Sequence, residues 1–300
     1  MSLPYGPSVV GVCDDSNEAV IAAVRQLTRG TAWSVINRVP LEFPAHHPQG
    51  VVRGSDRRLY LSSAEIIEPT RFYGSPVDGF DRTPGQGIGH LFVTDPDGGA
   101  LGHVTVGEDA VYHPGGIDFD GESVWVPAAE YRPHSRSIVY RVDPDTLEVR
   151  EAFRFDDHIG GVVRDRQSGL LHAVTWGSRS LLTFTPDGRL THRVDNKSHF
   201  VDYQTCVSVG GGHMVCTGIA EYPVPGAGVF SLGGIAVVDV DSGRIEHEAP
   251  MTELSPAGRV VTYNAVHLET DGSVLRMFAV PDDGASAGDA HLLTLETTLA

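Results

Sequence analysis

"HPGGIDFDGESVWVPAAE" occupies His113–Glu130, and its layout decides how the rest of the chain reads. A histidine and two glycines lead into a short apolar run, "FDG" turns the chain, and a second run ends on a carboxylate. β-Branched and aromatic residues on either side of an Asp-Gly turn read as strand, turn, strand. Four other stretches share the layout: "HPQGVVRGSDRRLYLSSAE" from His47, "HIGGVVRDRQSGLLHAVTWG" from His158, "YQTCVSVGGGHMVCTGIAE" from Tyr203 and "YNAVHLETDGSVLRMFAVPD" from Tyr263. Their starts lie 66, 45, 45 and 60 residues apart, and two further β-type runs follow most copies, as in "SIVYRVDPDTLEVREAFRF" and "SLLTFTPDGRLTHRV". Four short strands repeated at this period are the sequence mark of a propeller blade.

The expected fold is therefore all-β, a five-bladed β-propeller of four-stranded blades. The last copy is followed by one run only, "HLLTLETTL", which leaves that blade one strand short. The unassigned N-terminal run "TAWSVINRVPLEF" can supply it, closing the ring and removing an open sheet edge. Residues 66–86, a long insertion with poor patterning, leave six blades as the alternative count. One short helix is expected ahead of the ring, in "SNEAVIAAVRQLTRG", with Ser16 as N-cap, an apolar stripe on Val20, Ile21, Ala23, Val24 and Leu27, and Gly30 as C-cap. This gives an N-terminal extension over 1–31 and a single propeller domain over 32–300.

A formal charge of −17 with Lys197 as the only lysine excludes a phosphate-tracking surface, so no nucleic acid is expected as partner. No apolar run is long enough to span a membrane. A polar small molecule is the expected ligand. The first ten residues lack the basic-then-apolar pattern of a signal peptide, as a mature, processed chain also would, so the compartment stays open with the cytoplasm favoured. Cys13, Cys206 and Cys216 are too few and too unevenly spaced for a disulfide framework or a thiolate metal site; Cys206 and Cys216 can face each other across a hairpin, but two buried thiols are expected. No nucleophile elbow, phosphate-binding loop, dinucleotide fingerprint or EF-hand loop is present.

In a propeller the first strand of each blade lines the channel and the second returns antiparallel to it. The residue opening strand one and the residue closing strand two therefore share a face. His47, His113, His158, Tyr203 and Tyr263 form one expected ring at the channel mouth, and Glu65, Glu130, Trp176, Glu221 and Asp282 a second. Glycines after the ring residue let the backbone crowd the axis. Three neutral imidazoles in equivalent slots suit one divalent metal ion such as Zn, Mn or Fe, held by His47, His113 and His158. Glu65, Glu130 and Glu221 are the expected proton-transfer groups, with Tyr203 or Tyr263 orienting or protonating the substrate. Trp176 offers a stacking platform, Gln204 and Asn264 position the substrate, and Arg132 or Arg136 can hold an anionic group. A packing role for the repeated histidines and a solvated role for the glutamates stand beside this reading. His46 is a supporting neighbour; His90, His103, His172, His213 and His267 fall within strand runs.

The repeats resemble the β-propeller superfamily over residues 32–300. "FPAHHPQGVV" followed by "LYLSSAE" resembles the five-bladed plant-type glutaminyl cyclases, which implies acyl transfer with Glu65 as the acid/base residue. The histidine cluster is similar in kind to metal-dependent propeller lyases acting on uronates, which have more blades. The ring residues suit a metal-dependent lyase or hydrolase acting on a polar small molecule; a non-catalytic binding propeller is the alternative.

Overall fold

Residues 14–226 and 228–299 are described by a computed structural model, and the five repeats become five sheets arranged as a ring. Blade one is His47–Arg53, Leu59–Glu68, Gln86–Thr94 and Ala100–Val106. In blade two the inner strand is split into Val111–Pro114 and Asp118–Phe119, followed by Val124–Glu130, Ser137–Val142 and Val149–Phe155. Blade three is Ile159–Arg164, Leu171–Thr175, Ser180–Phe184 and Leu190–Asp195; blade four is Asp202–Gly210, His213–Val224, Gly228–Asp239 and Ile245–Met251. Blade five, Asn264–Asp271, Val274–Pro281 and His291–Thr298, takes its fourth strand from Ser34–Pro40. Ser34 lies opposite Glu296 and Pro40 opposite His291, so the expected closure of the ring is met.

The inner strands are buried along most of their length, whereas the outermost alternate, as in Ala100–Val106. Apolar faces of neighbouring blades mesh between sheets: Trp125, Val139 and Phe153 of blade two pack with Val162, Leu182 and Phe184 of blade three. Each fully buried side chain of this size stabilises by about 1.5–3 kcal/mol.

At the axis the blades meet backbone to backbone. A Cβ at Gly115 would lie 2.2 Å from the Gly160 carbonyl oxygen, and one at Gly50 would lie 2.8 Å from the Gly116 Cα. Gly116 N–H donates to Gly160 O at 3.0 Å and Val162 N–H to Gly116 O at 3.1 Å. The Thr205 hydroxyl of blade four reaches the Gln49 carbonyl (3.1 Å) and the Asn264 carbonyl (3.3 Å), which brings in blades one and five. The channel is thus pinched shut at its waist, leaving a chamber on each side.

The helix, Asp14–Val24, covers the end away from the histidines. Its Val20, Ile21, Ala23 and Val24 bury against Val207, Val215 and Val237 of blade four and Val266 and Leu268 of blade five. Asn17 donates to the Val209 carbonyl at 3.1 Å. Two expectations are corrected here. Ser16 lies inside the helix rather than ahead of it, and the helix stops six residues before Gly30, whose φ is not left-handed. Thr28 N–H bonds the Thr31 hydroxyl at 2.8 Å, a local turn that competes with further helix. The leader reading of the first ten residues and Cys13 lie outside the described residues.

Cys206 and Cys216, expected as thiols, are directly opposed across the blade-four hairpin and joined as a disulfide. The insertion at 66–86 is no sixth blade: Phe72–Val77 and Phe80–Arg82 form a two-stranded hairpin on the mouth side. Its Arg82 guanidinium sits 4.2 Å from the Phe72 ring and 5.2 Å from Trp176 of blade three.

Candidate functional site

The chamber on the mouth side has a volume of about 350 Å³ and is where the repeat-derived rings converge. His47, His113, His158, Tyr203, Gln204, Tyr263, Asn264, Trp176 and Glu221 all line it. Register explains the convergence. His47 pairs with Ala64, His113 with Ala129, Ile159 with Thr175 and Asn264 with Pro281, so the openings of first strands and ends of second strands lie level around the ring.

The three imidazoles are held differently. His47 Nδ1 lies 2.9 Å from Asp282 Oδ2, and His158 Nδ1 lies 3.0 Å from the Glu130 carbonyl. Both contacts fix the ring from behind and leave Nε2 for the chamber. His113, 5% exposed, has no hydrogen-bond partner for either ring nitrogen. Burial, then the neighbouring His47 and His158, pushes its pKa well below the ordinary value; burial takes His158 down to about 4. Both are neutral at pH 7. The His113 ring centroid stands 5.5 Å from that of His47 and 6.4 Å from that of His158. The trio does not bring one ligand atom each within 4.8 Å of the others, as His46, Glu65 and His90 do, so a shared ion at the usual metal–nitrogen distance of about 2.0–2.1 Å requires the rings to draw together.

Tyr131, which the sequence reading missed, forms the wall behind His113. Its ring stacks on that imidazole at 4.0 Å and 12° and also approaches Trp176, 5.7 Å away. Trp176 meets His158 edge-on at 4.8 Å. The signal was available, since "AEY" ends the second strand of blade two and recurs in blade four at Tyr222. Asn264 carries a second buried group without a partner, its Nδ2.

Other candidates fall elsewhere. The Glu130 carboxylate is buried beneath two guanidinium groups, Arg132 at 2.6 Å and Arg136 at 2.7 Å, so neither arginine lines the chamber and this carboxylate is engaged. Glu65 faces a side pocket that shares His47 and Tyr131 with the chamber, and lies 3.2 Å from His90 Nε2. Tyr203 turns its hydroxyl outward to Glu248, 3.5 Å away, and lines the chamber without presenting its phenol as a donor there. Glu221 stands at the rim because the second strand of blade four overruns the ring: Tyr203 pairs with Gly218, three residues earlier. Tyr263 is held protonated, first by burial and then by the charges of Glu221 and Asp282. Among the described residues no lysine or arginine lines the chamber; of its two carboxylates Asp202 is paired with Arg179 at 2.9 Å, so Glu221 is the one that favours a cation or a neutral polar molecule over an anion.

Residues 9–295 match the model of a family described as "Family of unknown function (DUF6454)", and the chain belongs to that family. No curated protein matches the sequence. Among solved structures the chain is similar to a protein of unknown function from Bacteroides caccae, at 10% identity with 79% of this chain and 72% of that one covered and a TM-score of 0.45. It is also similar to a luciferin-regenerating enzyme (10% identity, 90% and 95% covered, TM-score 0.48) and to a DUF4221 member from Bacteroides vulgatus (8%, 91% and 100%, 0.41).

Proposed function

We propose that the mouth chamber is the active site of a metal-dependent enzyme of lyase or hydrolase type acting on a polar small molecule. The observation that carries this reading is His113, a neutral, buried imidazole with both nitrogens unpaired, set between two imidazoles whose Nδ1 atoms are anchored. Leaving a buried polar group unpaired costs about 1–3 kcal/mol, which a chain tolerates where a ligand or ion completes the bonding. Donor anchoring from behind is how metal-ligating histidines are commonly oriented.

His47, His113 and His158 would hold a divalent ion, which supplies Lewis-acid polarisation of a substrate oxygen. The chain's own groups do the rest. Trp176 and Tyr131 give an aromatic wall for the substrate body, and Asn264 Nδ2 offers an unpaired donor. Tyr263, held protonated, donates to the substrate. Glu221, at the rim, accepts a proton from carbon or water.

Metal content of protein purified without chelator tests this. His113→Ala should lose one equivalent of metal that the wild type holds. The same variant should lose the thermal shift given by a binding polar compound from a panel of sugars, uronates and hydroxy acids. Unchanged metal content in His113→Ala sinks the metal role; a compound that binds metal-free protein without being turned over makes the chamber a binding site alone.

A further inference from the structure

We infer that blade one carries a second cation site, built by His46, Glu65 and His90 and separate from the chamber trio. One ligand atom from each of the three lies within 4.8 Å of the others. Glu65 Oε2 and His90 Nε2 are 3.2 Å apart, and the His46 ring stacks on the His90 ring at 5.0 Å and 13°. His103 Nε2 lies 2.7 Å from His90 Nδ1, so the far nitrogen of His90 is already fixed by a supporting group.

Two features separate this cluster from a casual grouping. His46 is held at φ 52°, a left-handed conformation that costs a non-glycine residue energy and that aims its ring at His90. Glu65 has no arginine or lysine as ion-pair partner among the described residues, its one such contact being His90. The contrast is with His213, Asp239 and Glu246, where ligand atoms are equally close. There Glu246 already binds Arg25 at 2.8 Å and Arg244 at 2.5 Å, so its charge is spent on guanidinium groups.

Two imidazoles and one carboxylate suit a borderline divalent ion of the zinc class, whereas calcium and magnesium prefer oxygen donors. Binding requires His90 to present Nε2 as a lone pair and donate Nδ1–H to His103, a tautomer shift that leaves both rings neutral. His46 and Glu65 line a side pocket of about 450 Å³, from which water can complete the shell. His46 belongs to the connection between the ring-closing strand Ser34–Pro40 and blade one, while Glu65 and His90 lie on the second and third strands of that blade. The ion ties the closure of the ring to the blade it enters.

Titration of chelated, dialysed protein with Zn²⁺, read by calorimetry, and with Co²⁺, read by visible absorption, tests this site. Glu65→Gln and His90→Gln should each weaken one equivalent at least about tenfold, the scale seen when even a supporting partner is removed. That equivalent should persist in His113→Ala. Added Zn²⁺ should raise the melting temperature of wild type and His113→Ala but not of Glu65→Gln. Should His90→Gln fail to fold, the half-exposed Glu65→Gln carries the comparison. Equal binding by wild type and Glu65→Gln overturns the site. A single equivalent lost with His113→Ala and untouched by Glu65→Gln overturns it while leaving the chamber trio standing.

Discussion

The two ends of the channel are built from the same strands and treat polar groups in opposite ways. At the helix-covered end, Arg53 and Arg276 share Glu269 at 2.5 Å and 3.0 Å, and Arg276 also binds Glu296. There Arg164 N–H and the Arg166 guanidinium donate to Asp118 and to the Phe119 carbonyl, and only His267 Nδ1 is left unpaired. At the mouth, His113 leaves both nitrogens open and Asn264 its amide nitrogen, and among the described residues no lysine or arginine lines the chamber beside Glu221. One end spends its polar groups on holding blades together; the other leaves them open to the chamber.

The waist that separates the two ends should give the largest effect. Gly115→Val puts side-chain carbon where the Gly160 carbonyl sits 2.2 Å away, with backbone on both sides and nowhere to yield. Destabilisation of about 3 kcal/mol is expected from denaturant melts. A neutral result would mean that the inner strands can part and that the chambers communicate.

Next come substitutions of opposite sign. His113→Phe removes an unsatisfied buried group while keeping a ring against Tyr131, so it should stabilise by about 1 kcal/mol and abolish ligand or metal binding. Glu269→Ala orphans the half-buried Arg53, leaves Arg276 with Glu296 alone, and should destabilise by about 1 kcal/mol. If both variants destabilise equally, the contrast between the ends is broken.

The smallest effect is in pH dependence. His158, held down to about 4, stays neutral in the fold while the unfolded chain protonates near 6.5, so acid draws stability away between those values. Burial pushes Asp118 up to about 6 from 3.8, so the folded chain keeps a proton that the unfolded one has lost, and stability falls as pH rises through that window. The slopes oppose. Asp118→Asn should therefore lose melting temperature faster than wild type on acidification from pH 6.5 to about 4.5. Parallel curves would show that Asp118 does not titrate this way.

Much of this was legible in the sequence, because repetition turns one readable unit into a count and a ring. His113 and its equivalents announce the inner strand, and the missing strand after "HLLTLETTL" points to the N-terminal run that fills it. Positions of ring residues followed, since the antiparallel pairing of the first two strands fixes which ends are level. What a strand's end residue does with its side chain was not legible. Glu65 and Glu130 occupy slots like that of Trp176, yet one turns to His90 and the other sinks under Arg132 and Arg136, because those partners come from the next strand or loop. Tyr131 lay one residue past the point where the repeat was read. The helix end and the Cys206–Cys216 bond depended on a local Thr turn and on exact cross-strand register, neither of which periodicity reports.

The glycine waist also sets how anything reaching His113 must behave. With the backbones of four blades in contact at the axis and the Thr205 hydroxyl tying in the fifth, the chamber has one door. Under the proposed activity, a product would leave by the route through which the next substrate arrives, and the two would exclude each other. Added product should raise the apparent KM and leave the maximal rate untouched, and the hairpin at Phe72–Arg82, standing beside that door, is positioned to govern traffic in both directions.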